Sequence, residues 1–289
     1  MPIQSSELIL NPDGSIYHLN LRPENLALDV IFVGDQDRVE QISEHFDTVE
    51  FTTQKREFKT HTGTYKGKRI SVISTGIGPD NIDIVLNELD ALVNIDFETR
   101  LPKAQHTALN IVRVGTSGSL HADLPVDHFL LSQFGIGMDN MLRSYELKGI
   151  CEDDMEEAFI AHTQWNSDKG RPYIVRNSPA LEACLSSDEV HYGITATAGG
   201  FYGAQGRVLR LALADSALNS KIDSFSYNGQ RTTNLEMETA AIYGLAKLLG
   251  HQAVSLNAII ANRADGTFSN DPYKAVRALI QYTLKKLTE

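Results

Sequence analysis

The sequence predicts a single α/β domain built on a largely parallel or mixed sheet. Three short apolar runs, at 29–33, 70–73 and 109–114, each end close to a glycine turn, as buried strands of parallel sheets do. Helical spacing of apolar residues follows the first two runs. No repeat, linker or low-complexity tract divides the 289 residues, so we expect one domain over 1–289.

Composition and charge exclude several classes of partner. The chain carries 26 lysines and arginines against 37 aspartates and glutamates, and this net charge of −11 opposes a broad basic surface for nucleic acid or anionic lipid. Cys151 and Cys184 form no C-x-x-C pair, so neither a disulfide framework nor a structural metal site is predicted. The N-terminus lacks the pattern of a secretion signal, and no apolar run is as long as a bilayer span. We therefore expect a cytoplasmic protein that acts on a small molecule.

Two strand–turn–helix units are predicted in the first third of the chain. The strand at 29–33 passes through a turn at Gly34 to an amphipathic helix at 39–46, and such a turn can hold an anion. The second unit comprises a hairpin around Lys66-Gly67, a glycine turn and a helix, at 63–74, 75–79 and 81–93. That helix is indicated by the spacing of Ile82, Val85, Leu86 and Leu89.

The remaining predicted elements continue the alternation of strands and helices. A polar surface excursion at 94–108 leads to the strand at 109–114, which the glycine-rich segment 115–118 is expected to end. Gly250 provides a C-terminal stop for a helix at 234–249. Further strands are predicted at 129–132, 192–198 and 253–260, and further helices at 155–165, 180–186 and 273–287.

Arginines accompany two of the glycine turns. Arg38 follows Gly34, and Arg113 precedes the segment 115–118. In open α/β sheets ligands collect at the carboxyl ends of strands, where backbone N–H and guanidinium groups can hold a dianion such as phosphate. Each turn alone also fits a plain strand end with a solvated arginine. The chain has no G-x-x-x-x-G-K-[ST] motif, which excludes a triphosphatase of the Walker class.

Two carboxylates stand close together in Glu236-Met237-Glu238. In an extended segment both side chains point the same way, and the pair can line a pocket if the helix begins near Glu238. A carboxylate that accepts hydrogen bonds from two vicinal hydroxyls is the expected way to hold a ribose. Acidic residues in a first helical turn also favour the helix dipole without further function, and the spacing leaves that alternative open.

The segment 201–207, with the sequence FYGAQGR, combines aromatic, amide and cationic side chains. The Gln205 amide offers a donor and an acceptor that match the N3–H and adjacent carbonyl of a pyrimidine, and Arg207 can share its face. An aromatic ring can stack on the sugar or the base. A tight surface turn with an exposed arginine fits the same spacing.

Seven motifs occur in the order found in nucleoside phosphorylases of the uridine phosphorylase type, which the chain resembles from Tyr17-His18-Leu19 almost to its C-terminus. They are GDQDRV (34–39), KREF (55–58), STGIG (74–78), RVGTSG (113–118), FYGAQGR (201–207), NLEMETAAI (234–242) and ANR (261–263). The chain departs from that pattern at Gln36, Pro79 and Gly203-Ala204, and its excursion at 94–108 is longer than in the compact bacterial enzymes. The resemblance implies a three-layer α/β/α fold with a mixed central sheet.

The resemblance also assigns candidate site residues. Phosphate would be held by the N–H group of Gly34, by Arg38, Arg113 and Thr116, and by Arg56 of a neighbouring subunit. Ribose would contact Glu236, Met237 and Glu238, and His18 of the neighbour would reach the 5′-hydroxyl from an N-terminal arm at 1–28. The base would meet Ser117, Gly118, Phe201, Gln205, Arg207 and Arg263. The catalytic set would be Arg38, Arg113, Thr116, Arg207 and Glu238.

The reaction that the resemblance implies is phosphorolysis of uridine to uracil and ribose 1-phosphate. Arg263 stands where purine-specific relatives have an aspartate that protonates the purine, and an arginine cannot give up that proton at neutral pH, so a pyrimidine is indicated. A purine nucleoside phosphorylase, a nucleosidase and a non-catalytic nucleoside-binding or storage protein on the same fold remain alternatives.

The resemblance requires no metal or organic cofactor. It leaves open a monovalent cation near Glu57 and Ile77, although Asn81 replaces a serine ligand there. Since His18 and Arg56 would act across an interface, a homodimer is the minimal assembly that the resemblance implies.

Overall fold

Residues 1–147 and 149–289, which the computed structural model describes, alternate strands and helices. Their strands are β1 Asp29–Val33, β2 Thr48–Lys55, β3 Phe58–Tyr65, β4 Lys68–Ser74, β5 Ile95–Asp96, β6 Leu101–Pro102, β7 Asn110–Ser119, β8 Phe129–Gly137, β9 Tyr173–Arg176, β10 Val190–Thr197, β11 Ser226–Tyr227, β12 Gln230–Glu236, β13 Gln252–Asn262 and β14 Thr267–Phe268. Their α-helices are α1 Gln36–Ser43, α2 Pro79–Asn94, α3 Asp153–Thr163, α4 Pro179–Leu185, α5 Leu218–Asp223, α6 Thr239–Leu248 and α7 Pro272–Leu287.

A large mixed sheet runs through the molecule in the order β11-β12-β10-β8-β13-β7-β1-β4-β3-β2. Strands β4, β1, β7 and β13 are parallel neighbours, whereas β8 is antiparallel to β13 and parallel to β10. Strand β12 pairs with β10 and also with the end of β7, where Asn234 faces Ser119. Strands β7, β13, β8, β10 and β12 therefore close into a ring, which brings the carboxyl ends of β7 and β12 together.

Helices cover both faces of this sheet. Alternate residues of β1 point to opposite sides, so that Val30 and Phe32 join the apolar cluster of α2 and α6, and Ile31 and Val33 join that of α1 and α7. Burial on both faces explains why β1 is a continuous apolar run rather than an alternating one. The predicted three-layer α/β/α fold with a mixed central sheet is confirmed.

Two element boundaries that were predicted next to the site are wrong. Strand β7 continues through 115–118 instead of ending there. A Cβ atom on Gly115 would lie 1.9 Å from Nη1 of Arg113, so this glycine makes room for a guanidinium on the same strand face rather than for a turn. The helix predicted at 234–249 begins only at Thr239, because β12 includes the residues up to Glu236.

Other differences are smaller. Helix α1 begins at Gln36 with Asp35 as its N-cap, three residues before the predicted 39–46, and this places Arg38 in the first helical turn. The hairpin around Lys66-Gly67 is confirmed, but β2, which extends the sheet beyond it, was not predicted. The excursion at 94–108 contains the short hairpin of β5 and β6. The remaining predicted strands and helices are present, some of them longer than expected.

The N-terminal residues pack on their own chain. Leu8, Leu19 and Leu21 are buried in the apolar cluster under α2. The Arg100 guanidinium donates to the carbonyl of Ile3 at 2.7 Å and to that of Gln4 at 3.0 Å. Within the described residues, no helix combines the length and the apolar character needed to cross a membrane.

Candidate active site

A cavity of about 970 Å³ opens where β1, β7 and β12 end. Most of the residues that the sequence assigned to the site line it: Gly34, Arg38, Arg113, Thr116, Ser117, Gly118, Phe201, Gln205, Arg207, Glu236, Met237 and Glu238. Arg263 lies behind this wall and contacts the cavity residue Gln205. Residues that are separated by up to 204 positions in the sequence, from Gly34 to Glu238, thus meet at one edge of the sheet.

Arg38 extends from the first turn of α1, beside Gly34. Its Nη1 donates to the Val114 carbonyl at 3.2 Å. A cation in the first turn opposes the helix dipole, so helix stability does not explain its position. Burial, and secondly the nearby charge of Arg113, lower the pKa of Arg38. A bound anion would offset both effects, which is the property expected of a phosphate site.

Arg113 is buried, with 6 % of its surface exposed, so the alternative of a solvated arginine is wrong here. Its Nη2 lies 2.6 Å from Oε2 of Glu238 and 3.3 Å from Oε2 of Glu236. Its Nη1 donates to Oδ1 of Asn257 at 2.9 Å. Burial alone would lower the pKa of Arg113, but the two carboxylates outweigh burial and raise it. Unlike Arg38, this guanidinium already has its counter-charges in the protein.

Glu236 is a buried cap of helix α6. Its Oε1 accepts a hydrogen bond from the Thr197 hydroxyl at 2.6 Å, and its Oε2 accepts from the backbone N–H groups of Glu238 and Thr239, both at 2.9 Å. The first N–H groups of a helix need such acceptors. The helix-stabilising alternative therefore accounts for Glu236, and its contact with ribose stays a prediction.

Glu238 is held at both carboxylate oxygens. Oε1 accepts from the Gly78 N–H at 2.8 Å, and Oε2 accepts from Nη2 of Arg113 at 2.6 Å. Burial raises the pKa of Glu238; Arg113 opposes this increase and Glu236 adds to it. Each carboxylate oxygen can accept a second hydrogen bond, so the group can still receive ribose hydroxyls from the cavity.

Gln205, Arg207 and Arg263 form one cluster at the opposite end of the cavity. Oε1 of Gln205 accepts from Nη1 of Arg207 at 2.6 Å and from Nη2 of Arg263 at 3.4 Å. The Arg207 guanidinium carbon lies 3.8 Å from the centre of the Phe201 ring, within the range of a cation–π contact. No carboxylate among the described residues pairs with either arginine. This end of the cavity is therefore positively charged.

Arg263 remains a cation at neutral pH. Burial, with a smaller contribution from Arg207, lowers the pKa of Arg263 to about 10, still well above 7. Its Nη1 donates to the Gln205 backbone carbonyl at 2.8 Å. Arg263 thus fixes Gln205 rather than offering a proton to a ligand.

His18 and Arg56 lie outside the cavity of their own chain. Nδ1 of His18 is 2.6 Å from Oε1 of Glu88, beside a separate cavity of about 270 Å³ between the N-terminal residues and α2. Arg56 occupies the turn between β2 and β3, and its carbonyl accepts from Nε2 of Gln36 at 2.6 Å. The role of both residues in a neighbouring subunit's site stays a prediction.

The residues considered for a monovalent cation, Glu57 and Ile77, lie together on the cavity wall with Asn81. The Asn81 amide points its Nδ2 at the Ile77 carbonyl, at 3.5 Å. This donor faces the oxygen that a cation would need as a ligand. A cation at this position stays a prediction.

Several site residues were missed from the sequence. Ile260, Ala261 and Phe268 add apolar surface to the cavity, and Ser255 and Asn257 stand behind Arg113. A signal for the last two exists: they interrupt the apolar run of β13 two residues apart, which puts both on the same face of a buried strand.

Comparisons with known proteins identify the superfamily of the chain. A sequence profile of the Phosphorylase superfamily matches residues 29–288. The chain belongs to this superfamily. The match covers every residue that lines the cavity.

Individual relatives are similar over most of the chain. The uridine phosphorylase of Thermococcus kodakarensis is 28% identical over 99% of this chain and 91% of its own length. The crystal structure of a Trypanosoma brucei nucleoside phosphorylase, described as showing uridine phosphorylase activity, superposes with a TM-score of 0.87 at 31% identity, over 97% of this chain and 99% of the other. A DeoD-type purine nucleoside phosphorylase of Listeria monocytogenes is 25% identical over 83% of this chain and 84% of its own.

Proposed function

We propose that the protein cleaves uridine with inorganic phosphate, giving uracil and ribose 1-phosphate. The observation that carries the proposal is the distribution of charge in one cavity: among the described residues, an arginine without an ion pair beside Gly34, a buried carboxylate at Glu238, and two arginines that converge on Gln205. These features suit an anionic nucleophile, a sugar diol and a base that leaves with negative charge. The relatives that are named or described as uridine phosphorylases support the same reaction.

In the proposed mechanism, Arg38 and the Gly34 N–H hold phosphate while Glu238 holds the ribose hydroxyls, so two reactants are brought into one geometry. Positive charge develops on the ribose and negative charge on uracil as the glycosidic bond lengthens. Arg207, together with Gln205, stabilises the negative charge where it develops, which lowers the energy of the transition state more than that of the bound substrate. The reaction needs no covalent intermediate with the enzyme.

Purine nucleoside phosphorolysis is the alternative, because DeoD-type enzymes are among the relatives. A purine leaves more readily when a protein group protonates its ring. The group at the base end, Arg263, is a cation whose pKa of about 10 keeps its proton in place at neutral pH. This observation favours the pyrimidine.

We further propose that the protein works as a cytoplasmic homodimer. His18 and Arg56 lie outside the cavity of their own chain. Three apolar residues of the cavity wall have half or more of their surface exposed: Ile77, Phe201 and Phe268. A second copy that supplied the two polar side chains would complete the site. Cys151 and Cys184 are both free thiols, which suits a reducing compartment.

The test is uracil release from uridine with and without phosphate, with arsenate as a second oxyanion and inosine as a purine substrate. We expect release only with an oxyanion, and little cleavage of inosine. Equal release in phosphate-free buffer would indicate a nucleosidase. Faster cleavage of inosine than of uridine would indicate the purine enzyme.

A further inference from the structure

A series of buried hydrogen bonds joins Arg113 to Ser117 through the strand ring. Its members in order, named here the polar chain, are Arg113, Asn257, Ser132, Thr195, Asn234 and Ser117. The four intermediate residues are completely buried and lie on β13, β8, β10 and β12, so the series follows the ring strand by strand. Polar groups in an apolar interior cost free energy unless they are paired, and here they are paired with one another.

Chemistry fixes the donor at the first links of the polar chain. A guanidinium only donates, so Asn257 must turn Oδ1 toward Nη1 of Arg113, at 2.9 Å, and Nδ2 away from it. Nδ2 is 3.3 Å from the Ser255 hydroxyl and 3.5 Å from the Ser132 hydroxyl, which makes the latter the longest link. Asn257 therefore donates away from Arg113.

The second half of the polar chain has the same direction. The Thr195 hydroxyl donates to Oδ1 of Asn234 at 2.7 Å, so the Ser132 hydroxyl, 2.5 Å from Thr195, donates to Thr195. If the Asn234 amide were turned round, it would donate to Thr195, and the hydroxyl hydrogen of either Ser132 or Thr195 would have no acceptor among the described residues. In the orientation observed, Nδ2 of Asn234 donates to the Ser117 hydroxyl oxygen at 2.9 Å.

Ser117 ends the polar chain at the cavity wall. Because its oxygen accepts from Asn234, its own hydrogen is free to donate, and within the described part of the protein no acceptor takes it. Ser117 itself lines the cavity, and its neighbour Gly118 lies beside Arg263, since a Cβ atom on Gly118 would be 3.7 Å from Nε of Arg263; Ser117 therefore stands near the base end of the cavity. Successive donors that point away from a buried cation polarise one another, which strengthens the last donor.

We propose that the polar chain makes Ser117 a dedicated hydrogen-bond donor to a carbonyl of the base, with Asn234 and Thr195 as positioning residues. The proposal rests on the proposed function, since a base carbonyl gains negative charge when the glycosidic bond breaks. A donor that is already oriented costs no reorganisation at that moment. Ser117 thereby adds a neutral donor to the two arginines at the same end.

Substitutions of Ser117 test the donor itself. We expect Ser117→Ala to lower kcat/KM for uridine about tenfold, as the loss of one hydrogen bond would, and to leave KM for phosphate unchanged. Ser117→Thr keeps the hydroxyl and should retain most of the activity. Full activity in Ser117→Ala, or equal losses in the two variants, would overturn the proposal.

Asn234→Asp tests the direction of the polar chain. A carboxylate only accepts, so the Ser117 hydrogen would turn toward it and be lost to the base; the decrease in kcat/KM should match that of Ser117→Ala. In the Ser117→Ala background the same substitution should have little further effect, because the donor is already absent. Multiplicative losses would contradict the proposal. If Asn234→Asp does not fold, the nearly isosteric Thr195→Val, which removes the donor to Asn234, replaces it in the same cycle.

Asn94→Ala is the matched control. Asn94 is as buried as a core residue and makes three hydrogen bonds at the end of α2, away from the cavity, so its loss should lower Tm and leave uridine kinetics unchanged.

The wild-type assay separates the role of Ser117 from the proposed function. If wild type releases no uracil with phosphate, the proposed function fails; if wild type is active and Ser117→Ala equals it, the function stands and the role of Ser117 fails.

Discussion

Glu238 links three parts of the chain at a single side chain. Its oxygens are held by a guanidinium from β7 and by an N–H group from the turn before α2, while its own backbone precedes the first residue of α6. A carboxylate with both oxygens fixed cannot rotate away from its ligand. A site needs this rigidity, because a displacement of about 1 Å can lower activity on the order of a hundredfold.

The titration of Glu238 gives the first prediction at this scale. Burial raises its pKa above the ordinary 4.5, so on acidification the carboxylate takes up a proton earlier than an exposed glutamate and loses its charge toward Arg113 and the ribose. We expect kcat/KM for uridine to fall on the acid side at a pH above the range of ordinary glutamates. Glu238→Gln should lower kcat/KM by about ten- to a hundredfold at neutral pH, keep the fold by circular dichroism, and lack this acid limb. An unchanged limb in the variant would assign it to another group.

Base recognition can be tested at Arg207. Its guanidinium is 2.6 Å from Oε1 of Gln205 and stacks on Phe201, at the end of the cavity away from Arg38. Arg207→Ala should lower kcat/KM for uridine about ten- to a hundredfold, the value of a hydrogen bond to a charged group, without weakening phosphate binding. Arg210→Ala, which removes an exposed arginine three residues further on, should have no effect. Unchanged uridine kinetics in Arg207→Ala would remove this segment from pyrimidine recognition.

At the scale of elements, the sequence predicted the strands and helices whose burial follows a simple pattern. Strand β1 is apolar because helices cover both its faces, and α2 and α7 show one apolar stripe each. The last three residues of strand β12, 234–236, were predicted to begin a helix, and the rest of the strand, 230–233, was not predicted. The side chains of Asn234 and Glu236 are buried and form hydrogen bonds inside the strand ring, which no local periodicity reveals.

The candidate site was predicted through its motifs, but its internal connections were not. The resemblance placed Arg38, Arg113, Glu238, Gln205 and Arg207 in one site, and the structure brings them into one cavity. That Glu236 caps α6 with help from Thr197 depends on a pairing between β10 and β12, 39 residues apart. Such pairings are properties of the fold. The sequence alone therefore could not decide whether Glu236 contacts a ribose or stabilises a helix.

For the whole molecule, closure of the strand ring orders the charges of the site. The carboxyl ends of β7 and β12 meet, so the buried pair of Arg113 and Glu238 stands between Arg38 at one end and Arg207 at the other. Among the described residues, carboxylates form ion pairs with the central arginine but with neither Arg38 nor Arg207. Each end thus presents a guanidinium without an ion pair in a protein whose net charge is −11, and both ends face groups that are anionic in the proposed reaction.

The assembly is the last property to be tested, because the cavity of one chain does not include Arg56 or His18. If the protein is a homodimer, its mass in solution will be twice the 31.9 kDa of one chain, and each site will take Arg56 from the partner. Mixing subunits that carry Arg56→Ala with subunits that carry Arg38→Ala should then restore activity. In a mixed dimer one site has both arginines intact and the other has neither, so an equal mixture should reach about a quarter of the wild-type activity per subunit.

A matched mixture separates this exchange from general stabilisation. Arg38 and Glu238 line the cavity of the same chain, so subunits with Arg38→Ala and subunits with Glu238→Gln leave every site of a mixed dimer with one defect. We expect no recovery from that pair after the same unfolding and refolding. Because only a residue given to the partner can be complemented by the partner, recovery with Arg56→Ala and none with Glu238→Gln would assign Arg56 to the neighbouring site. A fully active monomer, or equal recovery in both mixtures, would show that each chain works alone.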